Sequence, residues 1–313
     1  MGPTATSDAR LRRSRTGVVL CLVSACGFGL MAIFAKEAYG AGLGVTALLA
    51  ARFVLAAGVS WAIVAARRPA LPPRPVVLAC LGLGAIGYAA QAGFFFSALE
   101  HIDASLTSLL LYTYPALVFC GAVALGREHV TPWKALALAL ASAGAALVLL
   151  GGGTAGLEAT GVALALAAGA TYAVYILVAD GIVARIDPFL LGALVATGAA
   201  ATFLVAGAAG GALQFTSGGW VWIVAIALLS TVLPIVTFML GMARVGASTA
   251  SIVSTFEPVV TVAFAVTLYG EALGPLQALG GALVLAAVVA LQTRGARAPA
   301  LAAAPRPLVR EAG

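Results

Sequence analysis

Two charged side chains stand inside long apolar runs of this 313-residue chain: Arg52 in the run 44–65 and Glu257 in the run 248–268. A carboxylate in such a place can take up and release a proton or hold a substrate cation, and a guanidinium can hold an anion. If the runs cross a bilayer, each charge needs a partner or water, because an isolated charge at mid-depth costs at least about 2.5 kcal/mol. Arg52 is the ninth residue of its run and Glu257 the tenth of its own, so both fall near mid-depth and a direct pair is one expectation. The alternatives for Glu257 are a proton-coupling carboxylate and a structural one bonded to Arg52 or to nearby backbone.

Hydroxyls and prolines supply a second pattern. Ser105, Ser108, Tyr112 and Pro115 recur at intervals of three, four and three, and Ser248, Ser251, Thr255 and Pro258 repeat the intervals. At about 100° per residue each set forms one polar stripe on a helix. Glu257 lies more than about 90° from the centre of its stripe, so it and the hydroxyls share a cavity only if the proline break rotates the helix. Pro115 and Pro258 each remove a backbone donor and free a carbonyl one turn earlier, which lipid cannot satisfy. Such breaks either line a site or are packing kinks satisfied by Ser or Thr. Tyr88, Gln91 and Phe95 share one helical face, and Tyr172 and Tyr175 mark another run. Gln91 can donate and accept, and the tyrosine rings can hold a cation or an apolar side chain. Ordinary helix packing is the competing reading for each of them.

The elements that must position these residues are membrane helices. Hydrophobic residues make up 62% of the chain, charged residues 9%, and the mean hydropathy is +1.09. Soluble domains carry roughly 25% charged residues, whereas a helical span needs about 20 apolar residues and satisfies its own backbone. Apolar runs predict an all-α membrane protein with ten spans, near 17–35, 44–65, 76–98, 105–125, 135–152, 160–179, 188–210, 220–242, 248–268 and 274–292. The first run is longer than the core of a signal peptide and is read as a span. Tails 1–16 and 293–313 are rich in Arg, Ala and Pro, lack apolar periodicity, and are expected to be disordered.

The net charge of +6 reports topology. Of the 17 Lys and Arg residues, only Lys36 falls on one side of the predicted bundle and only Arg52 inside a span; the others, from Arg10 to Arg310, share the opposite side. By the positive-inside rule both termini are cytoplasmic, and the basic pI is not a nucleic-acid footprint. Cys21, Cys26, Cys80 and Cys120 all lie in predicted spans without metal or disulfide spacing and read as small core residues. The chain lacks Asn, and its Ala, Gly and Arg bias suits a GC-rich bacterium. An intramembrane enzyme needs a nucleophile with a base, or a metal. His101 and His129 fall in loops on opposite sides, and no hydrolase or zinc-protease motif occurs. No cofactor or metal is expected, nor a nucleotide-driven pump.

An offset of 143 residues aligns Ala104-Ser105 with Ala247-Ser248, Ser108 with Ser251, Pro115 with Pro258, Glu128 with Glu271 and Pro132 with Pro275. It also pairs Phe95 with Phe238, and an offset of 144 pairs Phe28 with Tyr172. The duplication predicts two five-helix halves, 17–152 and 158–292. With an odd number of spans in each, the second half enters the membrane from the other side. An inverted repeat of this kind is a signature of secondary transporters.

The segments Ser254-Thr255-Phe256-Glu257-Pro258-Val259-Val260 and Leu268-Tyr269-Gly270-Glu271-Ala272-Leu273, with Gly280-Gly281 beyond, resemble the EamA-type permeases of the drug/metabolite transporter superfamily. Tyr114-Pro115 and Leu125-Gly126-Arg127-Glu128 repeat them more loosely: Tyr114 replaces the carboxylate and Arg127 separates Gly126 from Glu128. The resemblance implies a carrier or exporter of small metabolites, gradient-linked with a proton as the candidate coupling ion. It also implies a central cavity between spans one, three, four, six, eight and nine, in a bacterial inner membrane. The expectation is an exporter of amino acids or similar small metabolites. A lipid-linked sugar flippase, a drug exporter and a passive channel remain open at this point. The expected cavity residues are Tyr88, Gln91, Ser108, Tyr112, Tyr172, Tyr175, Ser251 and Thr255, with Arg52 and Glu257 as the charges. Glu128 and Glu271 are expected at opposite membrane faces, bonding the start of the following helix or gating. The partners are a small-molecule substrate and the lipid bilayer; oligomeric state is left open.

Overall fold

The computed structural model describes residues 3–151, 158–183 and 186–295; the side chains of 3–14, 183, 247–248, 251 and 291–295 lie outside that description. The described residues are helical, turn or irregular, without a strand. Apolar helices run as α1 (Arg15–Gly40), α2 (Val45–Arg67), α3 (Arg74–Ala98), α4 (Ala104–Ala124), α5 (Pro132–Gly151), α6 (Ala159–Ile182), α7 (Pro188–Ala209) and α8 (Ser217–Val245). They continue as α9, in the segments Ala247–Ser254 and Glu257–Tyr269, and α10 (Pro275–Gly295). Among the described residues nine helices are long and apolar enough to cross a membrane, and α10 contributes a shorter apolar stretch, Pro275–Ala290.

The helix ends follow local chemistry. Pro188 opens α7 where its missing N–H costs nothing, and the Asp187 carboxylate accepts from Phe189 N and Leu190 N at 2.9 and 3.2 Å. Gly126 and Gly270 turn the chain with φ of 68° and 65°, left-handed values that suit a residue without Cβ. Two expectations about α1 are corrected: the backbone is already helical from Pro3, inside the tail expected to be disordered, and the helix does not end near residue 35. The helix continues to Gly40 and so includes Lys36 and Glu37, because these two charges find partners at its end.

Successive helices run in alternate directions. The ends of α1, α3, α7 and α9 meet at what we term the distal end, where Lys36 lies near Asp103 and Glu271, and Thr216 Oγ1 donates to Ala41 O at 2.8 Å. The opposite, proximal end holds Arg67 over the Phe189 ring and Arg127 donating to Leu177 O. Packing between the halves is reciprocal: α1 on α8 and α6 on α3, α2 on α7, α4 on α9 and α5 on α10. Apolar attraction between helices is weak in lipid, so close approach at small residues does much of the joining. A Cβ on Gly144 would stand 2.7 Å from Gly280 O, and one on Gly280 would stand 2.5 Å from Gly144 O, so α5 and α10 cross backbone to backbone. Gly84 and Gly198 do the same for α3 and α7. The largest core cluster draws Leu48, Leu49, Phe53 and Phe96 from the first half and Phe203, Ile223 and Ile226 from the second.

Candidate functional site

Besides a one-residue turn at Leu30 in α1, four interruptions among the described residues shape the middle of the bundle. Helix α4 breaks into Ala104–Leu111 and Tyr114–Ala124, and α9 breaks after Ser254, in each case just before the proline. Pro258 leaves Ser254 O without its helical donor, and the Tyr112 hydroxyl donates to that oxygen at 3.1 Å from across the bundle. The same hydroxyl lies 3.0 Å from Glu257 Oε2. The other two interruptions are π-helical, Leu83–Tyr88 in α3 and Leu228–Val232 in α8. They occupy matching places in the two halves, and π segments often mark functional positions. Tyr88 and Thr231, the residues they present, are related by the 143-residue offset.

Five of the seven tyrosines and Phe53 form a continuous run of rings. Their centroids are 5.6 Å apart from Phe53 to Tyr88, then 5.7 Å to Tyr175, 6.0 Å to Tyr172, 4.7 Å to Tyr114 and 5.8 Å to Tyr112. The run starts beside Arg52, whose guanidinium lies 4.8 Å from the Phe53 ring and 5.1 Å from the Phe96 ring. It ends at Glu257. Arg52 Nε donates to Thr231 Oγ1 at 3.0 Å, and the Thr231 hydroxyl donates onward to Ile226 O.

The expected direct pair between Arg52 and Glu257 is therefore not what the fold brings together. Arg52 is held by a hydroxyl and aromatic faces, Glu257 by a tyrosine, and no ion pair to either occurs among the described residues. The proline break does occur, and it lets Glu257 meet Tyr112, a member of the α4 hydroxyl stripe. Thr255 instead turns its hydroxyl back to Ile252 O at 2.6 Å. Ser108 and Gln91 are buried on α4 and α3. The Ser251 side chain lies outside the described residues.

Two expectations about single residues are corrected. Glu128 meets Lys134 in the first turn of the following helix, as expected, but Glu271 bonds the start of α4 in the other half. Cys21 and Cys80 are buried, whereas Cys120 is exposed, because the lower half of α4 turns that face outward. Tyr114 and Thr231 were not among the sequence candidates. The repeat could have found both, since Tyr114 is the counterpart of Glu257 and Thr231 the counterpart of Tyr88. A cluster of metal-ligating side chains is absent among the described residues.

The model of the EamA-like transporter family matches the chain twice, over residues 15–150 and 159–293. An uncharacterized transporter of Bacillus subtilis (strain 168), YcbK, is 26% identical over 93% of this chain and 97% of its own length. An uncharacterized transporter of Archaeoglobus fulgidus is 27% identical over 89% of this chain and 97% of its own. The threonine/homoserine exporter RhtA of Escherichia coli (strain K12) is 34% identical over 45% of this chain and 48% of its own length. A solved crystal structure with 21% identity superimposes with a TM-score of 0.63, covering 90% of this chain and 99% of that one, and shows the shared fold.

Proposed function

The chain belongs to the EamA-like transporter family, and from that premise we propose that it is a secondary carrier exporting amino acids or similar small metabolites by alternating access. In this reading ten spans form two inverted five-helix repeats, and both termini lie in the cytoplasm of a bacterial cell. The reciprocal pairing of α1–α8 with α3–α6 supports the inverted arrangement, since each pair is the repeat image of the other. The distribution of Lys and Arg supports the orientation.

The observation that carries the reading is the tyrosine run ending on Glu257 at the junction of the halves. A carboxylate flanked by aromatic faces suits a substrate ammonium group, through charge and through cation–π attraction. Arg52 has no carboxylate beside it among the described residues, and a substrate carboxylate entering from the Tyr88 side would supply that counter-charge. A zwitterion with a small side chain satisfies both ends. The partial likeness to an exporter of threonine and homoserine supports the same substrate class. Glu257 is the proposed proton site, alternately occupied by a proton and by the substrate amine.

Counterflow in proteoliposomes against amino acids, sugars and cationic drugs tests this. Saturable exchange of amino acids is expected. Glu257→Gln should keep exchange and lose accumulation driven by a pH gradient, and Gln91→Ala should raise the half-saturating substrate concentration. Accumulation that survives Glu257→Gln would make that carboxylate structural. Flux without saturation would mean a channel, and a folded protein inert to the whole panel would point to a lipid-linked substrate.

A further inference from the structure

At the distal end a carboxylate from the second half caps a helix of the first. Glu271 Oε1 accepts from Ala104 N and Oε2 from Ser105 N, both at 3.0 Å. Asp103, the natural cap residue of α4, makes no side-chain cap bond there. Lys36 Nζ lies 3.3 Å from Glu271 Oε1, and the Glu271 side chain is 6% exposed. Beside it the Tyr269 hydroxyl donates to Glu37 Oε1 at 2.9 Å. Amide bonds to an ionised carboxylate at a helix N-terminus are among the stronger hydrogen bonds, because the helix dipole adds to them. Glu271 thus ties α1, α4 and the 270–274 connector together.

The 143-residue offset carries Glu271 onto Glu128 and Ala104-Ser105 onto Ala247-Ser248. The proximal end therefore holds the parts for a second cap of the same design. There the Glu128 side chain is 47% exposed and paired with Lys134 of its own half, and Gly246, the residue before α9, has no side chain with which to cap it.

We infer that Glu271 and Glu128 are alternating latches. In the conformation described here Glu271 holds the distal end shut. Opening that end requires Glu271 to leave the amides of Ala104 and Ser105, while Glu128 moves from Lys134 onto the amides of Ala247 and Ser248 and shuts the proximal end. Each carboxylate stabilises one of the two states, so removing either shifts the population in the opposite direction.

The inference rests on the two-state reading of the carrier, and its test is made without substrate so that the two can fail separately. In a variant lacking the four native cysteines, one cysteine is placed at Ser108, which is buried one turn inside the Glu271 cap. A membrane-impermeant thiosulfonate is then added to each side of oriented proteoliposomes. Glu271→Gln and Glu271→Ala are expected to raise the rate from the distal side at least about tenfold, the ratio for a shift near 1.4 kcal/mol. Adding Glu128→Ala to Glu271→Ala should return most of that gain. Glu128→Ala alone, at an exposed position that does not threaten folding, should leave distal labelling at or below the wild-type rate. Unchanged distal labelling in both Glu271 variants of monodisperse protein would overturn the inference, as would a double variant that labels like Glu271→Ala. Labelling shifts alongside an unsubstituted parent protein that exchanges nothing would leave the latch standing and remove the carrier reading.

Discussion

The single hydroxyl proton of Tyr112 stands between two acceptors in an apolar setting, the Ser254 carbonyl freed by Pro258 and the Glu257 carboxylate, and is shared between them. Tyr112→Phe keeps the ring and deletes the donor, so it should cost about 1–3 kcal/mol, the usual penalty for an unsatisfied buried acceptor. Thermal unfolding in detergent measures it. Arg52 offers a contrasting case, because Thr231 keeps its own acceptor at Ile226 O when the guanidinium is gone. Arg52→Met, which preserves the apolar stem, should unfold within about 1 kcal/mol of the parent, within the range of volume-conserving swaps. If Arg52 is the counter-charge for a substrate carboxylate, the same variant loses amino-acid exchange while retaining its melting behaviour.

At the scale of the elements, the site depends on helices that stop where a continuous α-helix would bury its hydrogen-bonding groups. The breaks before Pro115 and Pro258 and the two π segments lie where Glu257 meets Tyr112, Thr231 meets Arg52 and Tyr88 joins the run of rings. The crossings that hold these helices tolerate no side chain. Gly144→Val or Gly280→Val would drive a branched group into the facing backbone of the α5–α10 pair. Overpacking of that kind costs about 1–3 kcal/mol, and a lowered thermal midpoint checks it. Because α5 and α10 do not supply the tyrosine run, protein that still folds should exchange with an unchanged half-saturating concentration.

For the whole molecule, the two ends differ in how charge is disposed. At the distal end the Asp103 carboxyl is raised from its ordinary value, because partial desolvation by its neighbours and then the Glu271 charge outweigh Lys36. A carboxyl whose folded value is raised binds its proton more tightly in the folded state, so its contribution to stability falls as pH rises through the ordinary carboxylate range toward neutrality. Asp103→Asn lacks that loss. Its melting temperature relative to the parent should therefore move upward between pH 4 and pH 7. A relative melting temperature that stays flat, or falls, would show that Lys36 controls Asp103 instead.

Membrane residence, the helical class and the doubled architecture were legible in the chain, because lipid permits few ways to satisfy a backbone and a 143-residue offset survives in Ser, Pro and Glu positions. The stripe on α4 included Tyr112, which the fold sets beside Glu257, and the doubled positions held Tyr114 and Thr231 in plain view as counterparts of Glu257 and Tyr88. Partner choice was not legible. Depth along a helix placed Arg52 and Glu257 at one level, but rotation and neighbour are set by how the halves dock, and docking gave Arg52 to Thr231 and Glu257 to Tyr112. The same holds for Glu271, expected to bond the start of the following helix or to gate, while the tertiary fold gave it the amides of α4. Periodicity reports which face a residue occupies on its own helix; only the packed bundle decides which face of another helix it meets.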